Sequence, residues 1–141
     1  MRLMSATDFA LRTLLYLARE PERLMNTDLL SRDLEISRNH LQKVVQALVA
    51  GGFVRTVKGA RGGVLLARPA SEIRIGAVVR WFEERQPIVA CFAEGGSCVI
   101  EPGCGLKHLL AEAQSNYFQF LEAHTVADCL RPSPQRLPPA T

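Results

Sequence analysis

Ser37-Arg38-Asn39-His40-Leu41-Gln42-Lys43-Val44-Val45-Gln46-Ala47-Leu48-Val49-Ala50-Gly51-Gly52 is the stretch that decides the fold. Leu41, Val44, Val45 and Leu48 recur at i, i+3, i+4 and i+7, which puts them on one face of a helix over 38–50. Ser37 can accept a hydrogen bond from an orphan amide at its start, and Gly51-Gly52 ends it. The other face carries Arg38, Asn39, His40, Gln42, Lys43 and Gln46, of which Asn39, Gln42, Lys43 and Gln46 share one stripe by 3–4 spacing. Just before it, a shorter helix is predicted over Thr27–Leu34, capped by Asn26 or Thr27, with Leu29, Leu30 and Leu34 inward. Ile36-Ser37 breaks the pattern between the two. Just after it, β-rich Phe53–Val57 and Val64–Ala67 flank Lys58-Gly59-Ala60-Arg61-Gly62-Gly63, a hairpin with a glycine-rich tip. Helix, turn, helix and hairpin is the order of a winged helix-turn-helix. The fold class predicted is therefore mainly α with a small β-hairpin wing.

Outward from this centre, Ala6–Arg19 reads as a deeply packed helix, with Ser5 and Asp8 at capping-box spacing. Ile73–Glu84 reads as a short strand or turn and then a helix containing Trp81. Residues 86–105 form an irregular loop with Cys91, Cys98 and Cys104. Leu106–His124 is a long amphipathic helix, and Thr125 can cap a last short one. Pro132, Pro134, Pro138 and Pro139 mark a disordered tail. The divisions expected are thus 1–85 (DNA-binding domain), 86–105 (cysteine loop), 106–130 (long and terminal helices) and 131–141 (tail).

The chain has 141 residues, about one domain, and a net charge of only +3. The distribution is uneven. Residues 36–71 contain six basic side chains (Arg38, Lys43, Arg55, Lys58, Arg61, Arg68) and no acid, whereas the rest carries eleven basic and fourteen acidic ones. Such a window is the electrostatic footprint of a polyanion partner. No apolar run approaches a membrane span, and Asp8 and Arg12 interrupt any leader-like segment, so a cytoplasmic protein without a membrane partner is expected. No nucleophile–base set or phosphate-binding glycine motif is readable, and no enzymatic activity is expected.

A major groove admits a helix whose outward face presents donors and acceptors to base edges. Asn39 and Gln42 suit adenine, Arg38 and Lys43 suit guanine or phosphate, and His40 lies beside them. Lys58 and Arg61 sit on a tip whose glycines allow close backbone approach to phosphate. Cys91, Cys98 and Cys104 follow C-x6-C-x5-C, and three thiolates in one glycine-containing loop are soft donors for zinc or an iron–sulfur cluster. The spacing matches neither a zinc knuckle nor the common ferredoxin runs. Candidates for a fourth ligand are Asp8, His108, Cys129 or an external group. Cys129, in the apolar context Val126-Ala127-Asp128-Cys129-Leu130, reads as a packed residue, and Asp8 has its capping duty.

Over about residues 1–130 the chain resembles the NsrR/IscR-type winged-helix iron–sulfur regulators, and among them the nitric-oxide-sensitive subtype. The resemblance is carried by Met1-Arg2-Leu3, Thr7-Asp8-Phe9-Ala10-Leu11-Arg12, Ile36-Ser37-Arg38-Asn39-His40-Leu41 and Val57-Lys58-Gly59-Ala60-Arg61-Gly62-Gly63. It continues in Pro69-Ala70-Ser71-Glu72-Ile73-Arg74-Ile75-Gly76, Cys104-Gly105-Leu106-Lys107 and Thr125-Val126-Ala127-Asp128. It implies a homodimer paired through the 106–124 helix. It also implies one [2Fe-2S] or [4Fe-4S] cluster per subunit on Cys91, Cys98 and Cys104, with Asp8 of the partner subunit as fourth ligand. The histidine that IscR-like proteins carry three residues after the third cysteine is Lys107 here. The function implied is a repressor on double-stranded operator DNA that lets go when nitric oxide reacts with the cluster. Two alternatives stand beside it: a regulator of the same fold reporting cluster supply, iron or redox state, and an electron-transfer or cluster-delivery protein. The second has no use for an acid-free basic window.

Overall fold

The computed structural model describes residues 3–130. The order is α1 (Ser5–Arg19), α2 (Thr27–Leu34), α3 (Arg38–Ala50), β1 (Val54–Val57), β2 (Gly63–Leu66), α4 (Ile75–Glu83) and α5 (Gly105–Glu122). Single 3₁₀ turns occur at Ala70–Glu72, Ala90–Phe92 and Ala127–Cys129. The mainly helical winged helix-turn-helix is as expected; β1 begins one residue later than the sequence reading, and β2 is shifted by one residue at both ends. The expectation of a disordered tail lies outside the described residues.

The apolar stripe of α3 lands in the core: Leu41 and Leu48 are fully buried, with Val44 and Val45 beside them. Leu14 and Leu17 of α1, Leu30 of α2 and Val78 and Val79 of α4 join them in one core, in which α1 and α2 pack directly on α3 and α4 packs on α1. Asn26 caps α2 by accepting from the Leu29 amide at 2.8 Å. The α2–α3 turn is made by Glu35 in the left-handed region (φ 55°) and by the Ile36 amide donating to the Ser31 carbonyl at 3.1 Å. The Ser31 hydroxyl donates to the Ile36 carbonyl at 2.6 Å, so this turn is stapled from both sides.

β1 and β2 pair antiparallel, Val54 opposite Leu66 through Val57 opposite Gly63. Met25 adds a short third ladder: its carbonyl accepts from the Val64 amide at 2.9 Å, which anchors the wing to the α1–α2 connection. Two glycines are required at the wing tip. Gly59 has φ +121°, and a Cβ on Gly62 would lie 2.2 Å from the Val57 carbonyl oxygen.

The capping box expected for α1 is not formed. Ser5 lies inside the helix, Met4 precedes it, and neither Ser5 nor Asp8 caps the end. Glu83 of α4 does this from across the fold: its Oε1 accepts from the Met4 amide at 2.8 Å and from the buried Thr7 hydroxyl. A carboxylate near a helix N-terminus is also favoured by the helix dipole. At the other end of the chain, the 73–75 and 124–126 segments exchange hydrogen bonds (Ile75 amide to His124 carbonyl and Val126 amide to Ile73 carbonyl, both 2.9 Å), which returns Val126 to the core.

Candidate nucleic-acid interface and cysteine loop

The α3 face that does not enter the core is a continuous polar surface. Arg38, Asn39, His40, Gln42, Lys43 and Gln46 are all exposed. Ser37 caps the helix through its hydroxyl oxygen, which accepts from the His40 amide at 3.4 Å. Arg38 is held by Asp28 of α2 at 3.1 Å, so it would exchange that surface ion pair for any phosphate or base. The His40 ring lies 6.3 Å from Phe9 of α1. Lys58 and Arg61 stand exposed at the wing tip, on the glycine turn described above. Neither has an acid within ion-pair distance among the described residues.

Asp8 is exposed in the first turn of α1 and is released from the capping duty expected of it. Its partner is Arg12, one turn on, with Nη1 3.6 Å from Oδ2. The other guanidinium nitrogen of Arg12 donates to the Leu34 carbonyl at the end of α2. One side chain therefore joins Asp8 to the turn that sets the angle of α3. The i,i+4 spacing of Asp8 and Arg12 was the legible half of this link, and the Leu34 contact had no signal in sequence.

The cysteines are distributed along the 86–105 loop. Cys91 lies half-buried in the Ala90–Phe92 turn, Cys98 is exposed, and Cys104 is half-buried where it precedes α5. Lys107 pairs with Glu101, and this hydrogen bond holds the ammonium above its usual pKa and the carboxyl below its own. Thiolate charge at Cys91 and Cys104 would push Lys107 the same way. Among the described residues no three His, Cys, Asp or Glu side chains are gathered as a metal site. The donor set, three thiols on one loop, has the right chemistry for a soft metal centre. His108 is exposed on α5. Cys129, expected to be packed, is exposed beside a surface cavity lined by Leu15, Ala18, Arg19 and Leu130. The adjoining Val126 takes the core position instead, because the chain turns at Ala127.

A family model, Rrf2, described as "Iron-dependent Transcriptional regulator", matches residues 3–132. The chain belongs to the Rrf2 family. Among similar Rrf2 relatives, the "HTH-type transcriptional regulator NsrR" of Shouchella clausii is 43% identical over 130 residues, covering 91% of this chain and 87% of that protein. The protein of the same name from Bacillus subtilis is 42% identical over 133 residues, with 93% and 91% covered. Solved structures share the Rrf2 fold at lower identity. The oxidized form of Staphylococcus aureus CymR superposes with a TM-score of 0.75 at 24% identity, covering 96% of this chain and 100% of that one. IscR of T. potens superposes at 0.71 and 19%, covering 92% and 86%. This Rrf2 chain is thus a transcriptional regulator of the NsrR/IscR type, and none of its described helices is long and apolar enough to cross a membrane.

Proposed function

We propose that this protein is a cytoplasmic homodimeric repressor that binds operator DNA, carries one iron–sulfur cluster per subunit and releases DNA when nitric oxide reacts with that cluster. Nitrosative-defence genes are then derepressed. The observation that carries this reading is the connection from Asp8 through Arg12 to the Leu34 carbonyl, in a chain that also carries a loop with three thiols.

Cys91, Cys98 and Cys104 would hold the cluster, [2Fe-2S] or [4Fe-4S], with Asp8 of the partner subunit as the fourth ligand. When bound, the cluster supplies iron that reacts with nitric oxide, most readily where a ligand is not a thiolate. The rest is done by the chain. Asp8 would either reach the partner subunit's cluster or rest on Arg12, and Arg12 in turn holds the C-terminus of α2. Withdrawing Asp8 changes the charge facing Arg12 and so the hold on the turn before α3. A change of about 1–3 kcal/mol in this coupling is enough to switch operator occupancy. Asn39 and Gln42 would read base edges, Arg38, His40 and Lys43 would read or position, and Lys58 and Arg61 would grip the backbone from the wing. Residues 1–85 act as the DNA-binding domain, 86–105 as the cluster loop and 106–130 as the dimerising part. α5 is suited to pairing, since none of its eighteen residues is buried and Leu106, Leu109 and Phe120 stand exposed along it.

The test is anaerobic purification of wild type and Asp8→Ala, with visible absorption and operator affinity measured before and after nitric oxide. Wild type should be coloured and should lose operator affinity on nitrosylation. Asp8→Ala should keep colour through its three cysteines and respond less in affinity. Unchanged operator binding by the nitrosylated protein would defeat the proposal. The family description favours one second reading, a reporter of iron or cluster supply. In that case iron chelation, and not nitric oxide, would release DNA.

A further inference from the structure

A cavity of about 530 Å³ opens between the end of α3, the base of the wing, α4 and α5. None of the residues assigned above to DNA or to the cluster lines it. Arg68, Arg80, Glu84 and Glu122 do, and among the described residues no ion pair joins any of them. Charges of opposite sign around one cavity ordinarily collapse onto each other, so what keeps these apart matters. Each guanidinium is held on an aromatic face: Arg80 lies 4.6 Å from the centroid of Phe118, and Arg68 5.9 Å from that of Phe53. Arg80 and Glu84 have the i,i+4 spacing of a helical ion pair, but Arg80 is turned onto α5 instead. Glu122 lies against the start of α4: a Cβ on Gly76 would lie 2.6 Å from its Oε2, so the missing side chain leaves room for this carboxylate. Among the described residues Glu84 has no ion-pair partner. One wall is fixed, because the Trp81 indole N–H donates to the Ala47 carbonyl at 2.9 Å while the ring stays 49% exposed.

Separated guanidinium and carboxylate groups over an aromatic wall complement a small molecule that carries both charges. A phosphate would face the two carboxylates, and a metal cation would face the two guanidiniums. We propose that this cavity binds a free L-α-amino acid, its carboxylate on Arg68 and Arg80, its ammonium on Glu84 and its side chain against Trp81. Arg68 closes the base of the wing and Arg80 belongs to α4, so such a ligand would tie the two together. The proposal is independent of the cluster reading.

Trp81 is the only tryptophan in the chain, which makes the cavity self-reporting. The full chain, purified anaerobically, is titrated with the common L-α-amino acids to about 10 mM, the weak end of specific binding. Tryptophan emission and calorimetry are both followed. At least one amino acid should bind saturably. Its decarboxylated amine and its deaminated acid should bind at least about tenfold more weakly, the effect of one lost charged contact. Arg80→Gln and Arg68→Gln should show the same loss with unchanged unfolding midpoints, and Arg80→Lys should recover part of it. Absence of saturable binding in both signals would overturn the proposal. So would binding that survives both glutamine substitutions, or equal binding of the deaminated acid, which would mark an anion site only.

Discussion

Between Thr7 and Val79 the chain supplies almost its entire core, whereas from Arg80 to His124 no residue is buried. The two regions differ in what fixes them. In the first, α1–α4 and the wing close on Leu14, Leu30, Leu41, Leu48 and Val78, and each helix is defined by what it buries in the same chain. In the second, an eighteen-residue helix and a loop with three free thiols are attached to that core by one side of α5 and by Val126. Val99 is 99% exposed and Leu109 64%. Isolated helices draw little stability from propensity alone, and most comes from a buried face. The second region therefore leaves surface that the proposed second copy and bound group would cover, which is where a sensor should be soft.

The largest effect should fall on the first region. Leu48→Ala removes a fully buried side chain and should destabilise by about 2–5 kcal/mol. Leu109→Ala removes an exposed one and should change the stability of the single chain by less than about 0.5 kcal/mol. Urea unfolding at two protein concentrations separates them. The Leu48→Ala loss should be the same at both, and the Leu109→Ala loss should appear only where the proposed dimer is populated. Equal losses in the dilute sample would erase the contrast between the regions.

Within the first region the recognition helix and the wing should also part. Gln42→Ala should cost about 1–3 kcal/mol on the cognate operator and little on random DNA, as expected of a side chain that reads a base edge. Lys58→Ala and Arg61→Ala should weaken binding to both DNAs alike and flatten the salt dependence of log K by about one unit each. Gel shifts across a salt series give both quantities. If Gln42→Ala flattened the salt slope and Arg61→Ala changed sequence preference, the roles of helix and wing would have to be exchanged.

The same division governs what could be read without the structure. α3 and its Ser37 and Gly51 boundaries were legible because the stripe, the cap and the stop are all local. The hairpin was legible because glycine and the basic tip interrupt two short apolar, β-rich runs. The start of α1 was not. Ser5 and Asp8 have the right spacing, but a carboxylate 76 residues away from Thr7 takes the position, and no local pattern records Glu83. Cys129 was misplaced for a related reason. Its neighbours are apolar, yet the turn at Ala127–Cys129 gives the core to Val126 and leaves the sulfur outside. The cysteine triplet and Asp8 could be picked out as chemistry, and Arg12 was overlooked because its second partner is a backbone carbonyl 22 positions away.

The smallest expected effect tests how firmly the second region is tied down at its C-terminal end. Asp128 Oδ2 accepts from the Thr125 amide at 2.7 Å and from the Thr125 hydroxyl at 2.9 Å, while the Asp128 amide donates back to that hydroxyl oxygen at 3.2 Å. This reciprocal cap sits beside Val126 and fixes the strand-like return that seats it. The Thr125 backbone and side-chain hydrogen bonds hold the Asp128 carboxyl below its usual pKa. A depressed folded pKa means that the contribution is complete above the unfolded value of about 3.9 and is lost as pH falls through the folded one. Asp33 is lowered in the same direction by the Tyr16 hydroxyl and by Arg32, but it ties α1 to α2 inside the packed region. Both groups are solvent-facing, so each effect should be modest. Urea midpoints of wild type, Asp128→Asn and Asp33→Asn between about pH 6 and pH 3, the interval spanning the unfolded carboxylate value, make the comparison. Each variant should start below wild type and approach it as pH falls. Hydrogen exchange should place the Asp128→Asn loss at the amides of Ile75 and Val126 and leave the α1–α2 amides protected. If instead exchange rose across α1–α3, the end of α5 would be part of the same cooperative unit as the DNA-reading core, and the two regions would have to be treated as one.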